Sequence, residues 1–126
     1  KRRRMLGDDH PSVLRSMLLA ELGQAMHNLG LLYYEQGRFD EAEPLFLEAL
    51  EKKRRVLGGD HPSTLSSLSS LASTYSDQGR LDEAEPLYLE CLEKRRLVLG
   101  NDHPHTLGSL NNLAIFFSGQ FRLPNS

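Results

Sequence analysis

The chain has no tryptophan and only one cysteine, Cys91, in 126 residues. A lone thiol excludes an internal disulfide framework and fits a reducing, intracellular (cytoplasmic) setting. Neither sign of charge is in excess: 15 Lys+Arg stand against 17 Asp+Glu, a formal net charge of −2. A dedicated nucleic-acid binder normally carries a clear basic surplus, so no nucleic-acid partner is expected. No apolar run approaches the ~18 residues of a membrane span, and no membrane partner is expected. Lys1–Arg4 lead straight into Gly7 and Asp8, without the apolar stretch of a signal peptide. Strand-type alternation is missing. So are a Ser/His/Asp grouping, a phosphate loop and a zinc signature, the glycines falling singly at turns. The expectation is therefore a non-enzyme with no catalytic residue, metal or cofactor. What is present, 39% apolar and 25% charged residues, is ordinary globular material, enough for one packed core.

The informative feature is internal repetition. Gly37–Pro62 reads GRFDEAEPLFLEALEKKRRVLGGDHP and Gly79–Pro104 reads GRLDEAEPLYLECLEKRRLVLGNDHP, with 20 of 26 positions identical at a fixed offset of 42. The same offset carries Leu29 to Leu71 and Leu113, Tyr33 to Tyr75, and Ser76 to Ser118. A third copy begins at His103 and stops near Ser126, and an earlier one is represented by its tail, KRRRMLGDDHP, at Lys1–Pro11.

Each unit carries two helical patterns. Leu65, Leu68, Leu71, Ala72 and Tyr75 recur at spacings of three and four, one helix stripe. Asp77-Gln78-Gly79 breaks it, with Gly79 suited to a left-handed cap. The stripe resumes at Leu81, Ala84, Leu87, Tyr88, Cys91, Leu92 and Leu99. Asp82 with Glu85 resembles a capping box, and Pro86 is expected in the first turn, bending rather than breaking the helix. Gly100 stops the helix, and Asp102-His103-Pro104 opens the next. The fold class this predicts is all-α, built of antiparallel helix hairpins.

The spacing fails at one place. His10 to His61 is 51 residues, whereas His61 to His103 is 42. Nine extra residues turn a continuous helix by about half a turn, so the two ends cannot face the same neighbour. Either a long first helix carries Leu14, Leu18, Leu22, Met26, Leu29 and Tyr33 as a drifting stripe, or a divergent half-repeat runs into the next. The absence of Gly and Pro from residues 12–22 favours the long helix.

Residue types that often carry chemistry have structural explanations here. His10, His61 and His103 each precede a proline, and successive linkers are too far apart for the short, convergent spacing of metal ligands; they read as helix-opening residues. His27 and His105 are isolated and read as exposed or groove-lining. Cys91 stands where the previous unit has Ala49 and reads as a small core filler. Lys52–Arg55 and Lys94–Arg96 follow acidic stretches, an order that helix dipoles favour, with Glu48–Lys52 and Glu90–Lys94 at i,i+4. Seven of the fourteen residues 63–76 are serine; flooring a polar groove, phosphorylation and simple tolerance compete as explanations.

Leu71-Ala72-x-x-Tyr75 with Gly79, Ala84, Tyr88 and Cys91, and Leu29-Gly30-x-x-Tyr33 with Gly37, Ala42, Phe46 and Ala49, resemble the tetratricopeptide repeat (TPR) pattern. The 42-residue period, LGxDHP linker and AEPL helix start are similar to the kinesin-light-chain-like class, whose usual relatives repeat every ~34 residues. The third copy departs after Ile115, Phe121 replacing the turn glycine and Pro124 the capping Asp, so its second helix is expected to be missing. The resemblance implies a right-handed α-solenoid of about two and a half repeats in a single domain, 1–126. It divides into a divergent N-terminal segment or long first helix (1–23), repeats at 24–65 and 66–107, and a truncated third at 108–126.

It also implies a non-enzymatic interaction module that binds a peptide or partner helix in a concave groove lined by the first helix of each repeat. Matching groove positions one by one gives Gln24, His27, Asn28, Leu31, Tyr34 and Glu35; then Ser66, Ser69, Ser70, Ser73, Ser76 and Asp77; then Asn111, Asn112 and Ile115. Amides such as Asn28 and Asn112 both donate and accept, which suits an extended peptide backbone. The groove holds no lysine or arginine, so neither a carboxylate clamp nor recognition of acidic cargo peptides is expected. The alternative is a self-assembling scaffold: the last helix is expected to expose Leu113, Ile115, Phe116 and Phe117, favouring a homo-oligomer or burial in a larger protein.

Overall fold

The 42-residue repeat reappears in the backbone at its turns. The computed structural model describes residues 2–120, with side chains from Pro11 onward, as five helices: α1 (Arg2–Glu35), α2 (Phe39–Leu57), α3 (Pro62–Asp77), α4 (Leu81–Leu99) and α5 (Pro104–Gln120). Gly37, Gly58, Gly79 and Gly100 all take positive φ (77°, 93°, 82° and 94°) and end α1 to α4, a backbone region that a side chain disfavours. At the tight turns the Arg38 and Arg80 N–H groups donate back to the Tyr33 and Tyr75 carbonyls (2.9 and 2.8 Å). Helices α3 and α5 open on proline. The Nδ1 atoms of His61 and His103 accept the backbone N–H of Ser63 and His105 (3.1 and 3.0 Å), so these histidines are helix caps as the sequence suggested.

Successive helices pack on one another, α1 on α2, α2 on α3, α3 on α4 and α4 on α5, and α1 also touches α3. The result is a short solenoid of two helix hairpins and a further single helix. The core runs through it without interruption: Ala42, Phe46 and Leu50 of α2 join Leu65, Leu68, Leu71, Ala72 and Tyr75 of α3. Ala84, Tyr88, Cys91 and Leu92 of α4 and Leu113 and Phe116 of α5 complete the cluster. The i,i+4 pairs form as expected, Lys52–Glu48 at 3.6 Å and Lys94–Glu90 at 2.9 Å. Between hairpins, Arg54 reaches Glu90 (2.8 Å) and Arg80 reaches Glu43 (2.6 Å).

Four expectations are corrected. His10 does not open a helix; it lies with Pro11 inside α1. Asp82 is not a cap: it is the second residue of α4, and the cap position falls on Arg80, whose side chain makes no cap bond. The Arg80 guanidinium instead binds Glu83 and Glu43 and lies 4.3 Å over the Tyr75 ring. Pro86 is the sixth residue of α4, not in its first turn, and the helix runs through it to Leu99. Finally, the leucine stripe of α1 does not face the core. Leu14, Leu18, Leu22 and Leu29 are exposed, and the buried positions are Gly23, His27 and Gly30. The two glycines let α2 approach closely: a Cβ on Gly30 would come within 2.8 Å of the Phe46 ring.

Candidate functional site

Two adjoining cavities open where α1, α3 and α5 come together. The larger, about 430 Å³, is lined by Tyr34, Ser73, Ser76, Asp77, Leu81, Tyr88, Asn112, Ile115, Phe116, Gly119 and Gln120. The smaller, about 100 Å³, lies between Leu31, Tyr34, Phe46, Ser69, Ser70 and Ser73. Tyr34 and Ser73 belong to both, so the two form one trough. Nine sequence-derived groove residues line it: Leu31, Tyr34, Ser69, Ser70, Ser73, Ser76, Asp77, Asn112 and Ile115.

The trough has an apolar floor and a polar rim. Phe116 is buried against Tyr88, their ring centroids 5.2 Å apart, and Ile115 projects, 62% exposed. The Tyr34 hydroxyl donates to Asp77 Oδ2 (2.5 Å) and the Tyr88 hydroxyl to Ser73 Oγ (3.2 Å). Burial, then the bond to Asp77, raises the Tyr34 phenol above its ordinary pKa, and burial raises Tyr88 as well. Both hydroxyls therefore stay protonated donors at neutral pH. Tyr88, Leu81 and Phe116 escaped the groove assignment because matching helix-A positions overlooks what the second helix contributes and what lies beneath the rim.

Other assigned residues lie elsewhere. Gln24 and Asn28 hydrogen-bond each other (2.9 Å), and Gln24 Oε1 also accepts from Lys53 Nζ (2.9 Å) and Ser63 Oγ (3.3 Å). Glu35, Ser66 and Asn111 lie outside both cavities. His27 is buried rather than groove-lining, 7% exposed, sharing a 3.0 Å hydrogen bond with Ser67 Oγ, its ring tilted at 57° and 5.4 Å from that of Phe46. Leu113 and Phe116, expected to be exposed for self-association, are core residues, and Phe117 is half-buried. The signal was available: 42 residues earlier stand Leu71 and Thr74, both buried. The large exposed apolar side chains of α5 are Leu107, Leu110 and Ile115.

Two members of the basic runs are interior. Lys53 is 1% exposed, its ammonium on Gln24 Oε1 and the Ser63 carbonyl, and desolvation lowers its pKa to about 8. Arg95, 42 residues on, donates to Ser109 Oγ (2.8 Å) and the His105 carbonyl (3.3 Å). Lys53 thus ties α2 to α1 and to the start of α3, and Arg95 ties α4 to α5; both are structural. Burial pushes the Cys91 thiol up in pKa, an environment that makes a thiol inert. Among the described residues no group of three or more His, Cys, Asp or Glu side chains could hold a metal, and no helix is long and apolar enough to cross a membrane.

A tetratricopeptide repeat family model matches residues 21–96 and 67–124. A nucleotide-binding leucine-rich repeat (NLR)-like protein of Hyaloscypha variabilis is 47% identical over 48 residues, 38% of this chain and 5% of that protein. Among solved structures, BtubC (BKLC) from P. vanneervenii superposes with a TM-score of 0.75 at 22% identity, over 79% of this chain and 39% of that one. A protein of Podosopora anserina assigned as a kinesin light chain with nearly identical TPR-like repeats superposes at 0.71 and 27% identity, over 81% and 48%. The chain spans less than half the length of each of these proteins.

Proposed function

The chain belongs to the tetratricopeptide repeat family, and from that premise we propose that it is a non-enzymatic interaction module that holds an extended peptide or partner helix in the trough between α1, α3 and α5. The observation that carries this reading is the pair of adjoining cavities of about 430 and 100 Å³ on the inner face. Asn112 offers a donor and an acceptor on the rim, the pairing an extended backbone needs, and Leu31, Tyr34 and Ile115 give side chains a place to pack. The 42-residue period and the likeness to the Podosopora anserina structure support placing these repeats in the kinesin-light-chain-like class.

Retention of random-library peptides on the immobilised protein tests the reading. Replacing Asn112 by Ala is expected to weaken bound peptides about fivefold, the loss of one hydrogen bond of about 1 kcal/mol. Asn28→Ala, outside both cavities, is expected to change little. Unchanged retention of every peptide by Asn112→Ala would count against the trough.

A second reading, self-assembly, is favoured by one observation. Leu107 and Leu110 are 50% and 48% exposed, whereas Leu65 and Leu68, 42 residues earlier, are 0% and 1% exposed beneath α4. Among the described residues no helix covers the same face of α5. Sedimentation against concentration is expected to show reversible association that Leu110→Asp abolishes; a strictly monomeric wild type would reject this reading.

A further inference from the structure

The first helices of the hairpins end against the electrostatic rule that the second helices obey. Helices α2 and α4 carry Arg54, Arg55 and Arg96 in their last turns, where cations offset the partial negative charge of the helix C-terminus. Helices α1 and α3 carry no basic residue in their last turns and close on Glu35 and Asp77, matched positions 42 residues apart. A carboxylate there adds to the field it should cancel. The arginines that follow do not relieve it. Arg38 is engaged by Glu41 (2.7 Å) and lies 4.5 Å over Tyr33, while Arg80 is engaged by Glu83 and Glu43 and lies over Tyr75. Among the described residues neither Glu35 nor Asp77 pairs with a cation, and none lines the large cavity. Asp77 opens into that cavity; its Oδ2 takes the Tyr34 hydroxyl, and among the described residues nothing hydrogen-bonds Oδ1.

We propose that the trough selects a peptide segment bearing a lysine or arginine, whose cationic head meets Asp77 at the C-terminal ends of α1 and α3 while a neighbouring apolar side chain packs on Ile115 and Leu81. The inference rests on the peptide-binding reading and deepens it to a partner of stated charge. An exposed carboxylate gains little from an exposed cation alone. Here the helix ends contribute field of the same sign, the cavity walls exclude part of the solvent, and a charge-assisted hydrogen bond to Oδ1 adds directionality. An acidic segment meets repulsion from the same groups, which gives the trough a basis for discrimination.

The probe is a displayed library of random peptides selected in parallel on the wild type, Asp77→Asn, Asp77→Lys and Tyr34→Phe, with unchanged helicity required of each variant. Wild-type selections are expected to be enriched in Lys and Arg over Asp and Glu, and their affinity to fall as salt is raised. A synthesised hit should weaken about tenfold on Asp77→Asn, and by a similar factor when its cation is replaced by norleucine. Asp77→Lys should select acidic peptides instead. Tyr34→Phe, which removes the hydroxyl but keeps the charge, should retain the cation preference. Hits with no cationic excess, or hits indifferent to Asp77→Asn, overturn the charge selection while leaving peptide binding intact. A wild type that retains no peptide above the level of Asn112→Ala overturns both.

Discussion

Truncating Phe46 to alanine is expected to lower the unfolding free energy by about 3–5 kcal/mol, the range for a large aromatic removed from a tight core. The ring is fully buried, lies 5.4 Å from the tilted His27 ring, floors the smaller cavity and packs on Gly30 of α1, which has no side chain to offer. At Gly30 the nearest ring carbon is 2.8 Å from where a Cβ would be. With glycine opposite, nothing collapses into the void, which places the cost toward the upper end. A domain of this size has about 5–15 kcal/mol in total, so urea denaturation of Phe46→Ala should show a much lower midpoint or no cooperative transition. A loss below about 1 kcal/mol would mean that α1 is not docked on α2 as described. The trough depends on that docking, because α1 supplies Leu31 and Tyr34.

The second large effect is acid sensitivity. Burial, and secondarily the Lys53 ammonium, lowers the His27 pKa from 6.5 to about 4. A base with a lowered pKa is neutral in the fold and protonated in the unfolded chain between these values. The unfolded state therefore binds more protons in that window, and stability rises with pH across it. The contribution is fully present above pH 6.5 and is lost as pH falls toward 4. Converted at about 1.4 kcal/mol per pH unit, the loss by pH 4 is about 3 kcal/mol. Thermal unfolding of the wild type and His27→Gln checks it between pH 6.5 and 5, above the range where the carboxylates titrate. The wild type should lose stability there and the variant should not. Parallel profiles would place His27 in solvent.

How much of this was legible follows from what the repeat encodes. A 42-residue period records whatever recurs within a unit: the glycines at positive φ, the histidine caps before Pro62 and Pro104, and the α3 and α4 stripes all recur and were readable. Contacts between units are recorded only through both partners at once. Lys53 looks like the middle of a basic run until Gln24 and the start of α3 close over it, and Arg95 until Ser109 does. His27 corresponds to Ser69 and Asn111, which are half-buried and exposed. Only its larger ring reaches Phe46 and Ser67, so matching positions misassigned it. Leu22 and Leu29 keep the repeat register, standing 42 residues before Thr64 and Leu71, yet are exposed where those are buried; periodicity within α1 could not say which of its faces α2 would choose. In the groove, position matching found the rim on α3 and α5 but not Tyr88 or Leu81, because those belong to the second helix of a hairpin.

Amide chemical shifts of the isotope-labelled chain, followed while a library-selected peptide is added, test the central claim most directly. The account predicts shifts concentrated at Leu31, Tyr34, Ser73, Ser76, Asp77, Asn112 and Ile115, with the outward residues Leu47, Glu48, Glu51 and Leu89 of α2 and α4 nearly silent. Shifts centred on α2 and α4, with the inner residues unmoved, would contradict it.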